Sequence, residues 1–301
     1  MDSVYKYSYC YKYRPGVDQR KNDDTIEPMG KAVVRSGFIT NWCPSDVRDN
    51  WDARKHLGER LGWTDSNVKY RFNEYGFRHK GSFVENNNAI VALGCSVTFG
   101  IGVNYEQTWP YYVAQELGLD LVNLAQPGTG INASYRAAKM WLPVIKPKAV
   151  MFYVPNHHRR EIWPVDTDEI SENDYDLPVS VGPWTTGKYE EYFKMLSSKR
   201  ETDIWREAYL DSMRWITKDS KYIHFPVQEQ TGGRQPTAAE YLNDKIIIRD
   251  LQGHDPVHSF DEIVSNKDTN DARYARDMIH PGPMIHRENI APLFIKAYNE
   301  S

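Results

Sequence analysis

Asn88-Ala89-Ile90-Val91-Ala92-Leu93-Gly94-Cys95-Ser96-Val97-Thr98-Phe99-Gly100 decides the fold. Ala89 to Leu93 is an uninterrupted apolar run closed by a glycine, the pattern of a strand buried on both faces of a sheet. Two runs of the same kind follow, Leu121-Val122-Asn123-Leu124-Ala125 and Ala149 to Val154. The intervals carry helical patterns, Trp109 to Leu117 and Ala133 to Leu142, so the order is βαβαβ. Right-handed crossovers then require a parallel sheet with helices on both faces, and ligands of such sheets gather beyond the carboxyl ends of the strands. Lys221 to Phe225 and Lys245 to Arg249 read as further short strands, giving an α/β sheet of about five strands. Glu288 to Tyr298 predicts a closing helix.

Residues 1 to about 86 are rich in Tyr, Trp, Arg and Asp and poor in long aliphatic runs, so an extension packed on a main domain of residues 87–301 is expected. Ser45 to Trp63 predicts one helix there, capped by Ser45 and apolar at Val47, Trp51, Leu57 and Leu61. Residues from about 157 to 220 read as an insertion or lid, with a helical pair from about Lys188 to Ile216. Its aromatic residues Trp163, Tyr175, Trp184, Tyr189 and Tyr192 either pack the insertion's own core or stack on sugars.

The 301-residue chain is long for one ordinary domain and short for two, which suits one large domain with an appended segment. Hydrophobic residues at 40% and charged residues at 26% argue for a globular protein against disorder, collagen or coiled coil. Thirty-seven Lys and Arg against 41 Asp and Glu leave a formal charge of −4, so nucleic acid is not an expected partner. No apolar run is long enough to span a bilayer. Met1 to Cys10 alternates aromatic and polar residues and lacks the apolar core of a secretory signal, so the chain is expected in the cytoplasm at synthesis. Cys10, Cys43 and Cys95 are odd in number and widely spaced, which reads as reduced thiols.

A serine nucleophile needs a base, a group to orient that base, and donors for the oxyanion. Ser96 follows the buried strand and precedes Gly100-Ile101-Gly102, where a strand-to-helix turn can expose a hydroxyl. This is not the GxSxG elbow, because Thr98 stands where that motif needs its second glycine. An anion-binding turn is the other reading, weakened by the lack of a Walker lysine. The second strand ends in Gln126-Pro127-Gly128-Thr129-Gly130, with Gly128 as a backbone donor. The third ends in Pro155-Asn156-His157-His158, where Asn156 can donate its side-chain N–H. No Cys, His or Asp cluster completes a metal site there. Asp277-Met278-Ile279-His280 sets a carboxylate three residues before an imidazole, so Asp277 can accept the Nδ1 proton and leave Nε2 as base for Ser96.

Together these segments resemble the SGNH (GDSL-type) hydrolase superfamily, whose motif blocks carry Ser, Gly, Asn and His in that order. Gly94 to Gly100 resembles the first block, Asn123 to Gly128 the second, Val154-Pro155-Asn156 the third and Asp277 to Pro281 the last. Phe72-Asn73-Glu74-Tyr75-Gly76-Phe77-Arg78 is similar to a segment preceding the nucleophile in many members. The resemblance implies a three-layer α/β/α, flavodoxin-like fold. It also implies a Ser96–His280–Asp277 triad and an oxyanion hole of the Ser96 N–H, the Gly128 N–H and Asn156. Cys95 replaces the usual Asp of the first block, and His157 stands where an Asp often follows the third-block Asn. Cys95, Thr98 and His157 are candidate substrate contacts, and Cys95 is a second candidate nucleophile. The aromatic amino-terminal piece and the Asp277 to Pro283 ending also resemble proteins of large environmental bacteriophages, which implies association with a virion.

The function expected is hydrolysis of an acyl ester through an acyl-enzyme on Ser96, foremost O-deacetylation of a carbohydrate, without cofactor or metal. The partner is then a small-molecule or glycan ester. An O-acyltransferase would use the same triad, and a non-catalytic glycan-binding or structural protein could keep the same scaffold. Oligomeric state is not legible in the sequence.

Overall fold

The computed structural model describes residues 39–43, 46–73, 75–155, 159–162, 179–182, 190–196, 198–226, 274–277 and 280–300. In chain order these form strand β1 (Ile39–Thr40), helix α1 (Arg48–Arg60) and strands β2 (Tyr70–Arg71) and β3 (Ala89–Leu93). Helices α2 (Ser96–Phe99) and α3 (Trp109–Leu117), strand β4 (Asp120–Asn123), helix α4 (Ile131–Ile145) and strand β5 (Ala149–Val154) come next. Strands β6 (Arg160–Ile162) and β7 (Val179–Val181), helices α5 (Glu190–Leu196) and α6 (Lys199–Ile216) and strand β8 (Lys221–Pro226) follow. The last helix opens at Pro283–Ile285, widens to a π-turn at His286–Ile290 and ends as α7 (Ala291–Glu300).

Strands pair in the order β4-β3-β5-β8, all parallel. That is the flavodoxin-like winding, in which the crossovers reverse direction around the first strand and open a crevice at the carboxyl edge. The expected strand at Lys245 to Arg249 lies outside the described residues, so the described sheet has four strands. Side chains alternate between the faces. Ala89, Val91 and Leu93 of β3 and Val150, Phe152 and Val154 of β5 pack with α4 and α6 in one core. Ile90, Ala92, Met151 and Tyr153 pack with α3 and the closing helix in the other, so the sheet is sandwiched between two helical layers.

A third core is aromatic. Trp42, Trp51, Trp63, Tyr70 and Phe72 pack against Phe99, Ile101 and Val103, just beyond Ser96, and against Tyr274 and Ala275. The segment before the sheet therefore lies against the loop that follows Ser96.

Ser45 lies outside the described residues, and helix α1 starts at Arg48 with Val47 at its cap position and no side-chain cap bond. The neighbouring carboxylate that could have capped it, Asp46, is engaged by Arg276 and Tyr70. Helix α4 runs past the expected Leu142 to Ile145 with Pro143 in its last turn. The helical pair of the insertion is α5 and α6, and Ser198 caps α6 by accepting from the Glu201 N–H at 3.2 Å. Of the insertion's aromatic residues, Tyr192 is 40% exposed, while Trp163, Tyr175, Trp184 and Tyr189 lie outside the described residues. Among the described residues no helix is long and apolar enough to cross a membrane.

Candidate active site

Strand β3 delivers the chain to a tight turn. Gly94 has φ +151°, and a Cβ there would stand 2.2 Å from Thr98 Oγ1 and 2.9 Å from the Tyr153 carbonyl. Only glycine fits a backbone this close to both neighbours. Cys95 then stands at the N-cap position of α2 with no side-chain cap bond, and Ser96 is its first residue, 6% exposed. The first turn of a helix leaves N–H groups without intrahelical acceptors, which is the property an oxyanion site needs.

The far end of α2 is held by Arg78. Asn73 shapes the approach, its Oδ1 accepting from the Tyr75 N–H at 3.1 Å and the Phe77 N–H at 3.0 Å. Arg78 is thereby set in the interior, where its guanidinium donates to the carbonyls of Phe99 (3.0 Å), Gly100 (2.5 Å), Val103 (2.7 Å) and Lys69 (3.1 Å). Its planar cation also lies 4.6 Å over the Tyr70 ring. Burial pulls the Arg78 pKa down, and Tyr70 is the first neighbour to oppose that. A cation at the carboxyl end of a helix suits the helix dipole.

Asp277 and His280 meet as their spacing predicts. Asp277, 1% exposed, accepts the His280 backbone N–H on Oδ1 at 3.0 Å and faces His280 Nδ1 with Oδ2 at 2.6 Å. With the carboxylate ionised and the imidazole neutral, Nδ1 carries the hydrogen and Nε2 keeps its lone pair. The residue before this pair is fixed as firmly. Arg276, fully buried, donates to both Asp46 oxygens, from Nε at 3.0 Å and Nη2 at 2.8 Å. Asp46 also accepts from Tyr70 Oη at 2.5 Å, and Tyr70 Oη accepts the Gly102 N–H at 2.7 Å. Burial raises the Asp46 pKa, while Arg276 opposes the rise. Burial, then the Asp46 charge, holds the Tyr70 hydroxyl well above its ordinary value.

Gly102 links the two halves of the site. Its carbonyl accepts the Arg276 N–H at 2.9 Å, its φ is +72°, and a Cβ there would stand 2.7 Å from Ala275 Cβ. Ser96 and Asp277 are thus on loops stitched together at Gly102 and Arg276. Among the described residues no hydrogen bond joins Ser96 to His280.

Gly128 stands in its turn with φ +71°, its carbonyl accepting from Ser180 Oγ of β7 at 2.5 Å. Asn156 and His157 lie outside the described residues. Cys95 is buried, and Thr98 is fully buried with Oγ1 turned to the space a Gly94 side chain would take. That placement gives Thr98 a packing role in the turn.

Sequence reasoning missed three supporting residues, Asp46, Arg276 and His286. His286 is buried in the π-turn, and its Nδ1 accepts the Trp109 N–H at 3.1 Å, so an imidazole caps the start of α3. Burial, with the His280 and Arg78 charges, pushes its pKa down to about 3, and a backbone contact with Pro281 opposes them. Its position six residues after His280 was the one signal available.

No protein-family model matches the chain, and no curated protein matches it. Among solved structures, the chain is similar to a protein assigned to the G-D-S-L lipolytic family from Desulfitobacterium hafniense DCB-2, at 14% identity. That likeness covers 70% of this chain and 99% of the other, with a TM-score of 0.40. A carbohydrate esterase whose active site is described as having catalytic and non-catalytic binding functions is similar at 12% identity over 79% of this chain and 70% of its own, with a TM-score of 0.37. A family two carbohydrate esterase from Cellvibrio japonicus is similar at 10% identity over 55% of this chain and 58% of its own, with a TM-score of 0.24.

Proposed function

We propose that the chain is a serine esterase of SGNH type, with Ser96 as nucleophile, His280 as base and Asp277 as its orienting acid. The observation that carries this reading is the buried Asp277 carboxylate, which holds both the backbone N–H and Nδ1 of His280. Its loop is bonded to the loop that follows Ser96.

Ser96 Oγ attacks the ester carbonyl carbon while its proton passes to His280 Nε2. The oxyanion accepts from the Ser96 N–H, the Gly128 N–H and the Asn156 side chain. The C–O bond to the alcohol then breaks, and the alcohol leaves with the His280 proton. Water, deprotonated by the same nitrogen, attacks the acyl-enzyme, which releases the acid and returns the proton to Ser96. The reaction class we favour is O-deacetylation of a carbohydrate.

The test is hydrolysis of p-nitrophenyl acetate by the wild type and by Ser96→Ala, with fluorophosphonate labelling mapped by mass spectrometry. Loss of turnover in the variant and a label on Ser96 are expected. Equal rates, or a label on Cys95, overturn the assignment. A wild type inactive on a broad ester panel favours a binding protein on this scaffold.

A further inference from the structure

Gln126 follows β4 and stands two residues before Gly128. Its backbone is fixed on both sides, the N–H donating to the Gly94 carbonyl at 3.2 Å and the carbonyl accepting from Thr129 Oγ1 at 2.8 Å. Asn123 ties the same strand end to α2, donating from Nδ2 to the Thr98 carbonyl at 3.0 Å while Oδ1 accepts the Ala125 N–H at 3.0 Å. Gln126 is therefore anchored beside the turn that carries Ser96, at the edge of the sheet where ligands gather.

Its side chain is in a different position. Gln126 is 2% exposed, yet neither Nε2 nor Oε1 has a hydrogen-bond partner. A buried polar group left unmatched costs roughly 1–3 kcal/mol, whereas an apolar side chain of similar shape carries no such penalty. Thr98, Ser134, Tyr153 and Tyr222 each leave one hydroxyl in that state, but among the described residues Gln126 alone leaves two polar side-chain atoms unpartnered.

We propose that the Gln126 carboxamide recognises the alcohol portion of the substrate, and that this portion is a polyol or sugar. Two neighbouring hydroxyls can accept from Nε2 and donate to Oε1 at once, because a hydroxyl does both. An acyl chain offers neither, and a plain aryl or alkyl ester oxygen only accepts. The proposal rests on the Ser96 esterase reading and adds to it the residue that recognises the sugar.

The experiment compares full-length wild type, Gln126→Leu and Gln126→Met on a mono-O-acetylated methyl glucoside and on p-nitrophenyl acetate, with melting temperatures measured in parallel. Both variants are expected to melt a few degrees higher, as removal of an unmatched buried polar group predicts. They should lose about tenfold or more in kcat/KM on the sugar ester and less than about threefold on p-nitrophenyl acetate. Equal effects on the two esters overturn the proposal, as does a wild type that hydrolyses p-nitrophenyl acetate but not the sugar ester. Inactivity on both esters instead strikes the esterase reading itself.

Discussion

At the scale of single residues, Asp277 shows how little freedom the candidate base has. Both its oxygens are engaged by His280, one through the backbone and one through the ring. Its own carbonyl accepts from Arg54 at 3.0 Å, so the loop is held independently of the carboxylate. Asp277→Asn keeps the shape of this arrangement while changing its hydrogens. The amide can present N–H to Nδ1, which moves the imidazole hydrogen to Nε2 and removes the base. The expected result is a fall in kcat on the order of 10³ to 10⁴ on p-nitrophenyl acetate, with the unfolding midpoint much less affected. A variant as active as the wild type would show that His280 acts without Asp277 or does not act. The pair was legible in the sequence because one turn joins residues three apart. Arg276, one position earlier, was not, because its partner Asp46 lies 230 residues away. No local pattern encodes such a pairing.

At the scale of elements, the apolar runs at Ala89 and Ala149 gave strands β3 and β5 at their observed bounds, and helix α3 is where its pattern lies. These elements are buried or amphipathic along their whole length, so composition alone marks them. Helix α1 was misread at its start because a tertiary ion pair, not a local cap, uses the nearby carboxylate. Helix α2 is only four residues long and has no periodicity to read. Its geometry comes from Gly94 at one end and Arg78 at the other, and the Arg78 clamp ties the Asn73 to Arg78 segment to the turn that carries Ser96. Arg78→Met would leave the carbonyls of Phe99, Gly100 and Val103 without this donor. A loss of about 3–5 kcal/mol is expected in urea unfolding, because each buried carbonyl left without a donor costs roughly 1–3 kcal/mol. Fluorophosphonate labelling of Ser96 should slow as well. Arg78→Lys should recover only part of either quantity, because one ammonium does not span the positions a guanidinium fork reaches.

At the scale of the whole molecule, the closing helix joins the layers, and His286 is the joint. It receives the first N–H of α3 and follows the His280 loop within the same short segment. In the folded chain this imidazole stays neutral to about pH 3, because burial, His280 and Arg78 all disfavour its charge. In the unfolded chain an imidazole binds a proton near pH 6.5. Between those values the unfolded state holds more protons, so stability rises with pH across the window and is lost as the solution is acidified. The contribution is fully present above about pH 6.5 and declines by up to about 1.4 kcal/mol per pH unit below it. Going from about pH 7.5 to about pH 4.5 should therefore remove roughly 3 kcal/mol through His286 alone. His286→Gln retains an oxygen that can accept the Trp109 N–H but has no proton to gain. Urea unfolding at the two pH values should show the variant losing less stability than the wild type by about that amount, while carboxylates elsewhere act equally on both. Equal losses in the two proteins would mean that His286 is solvated and titrates normally in the folded state.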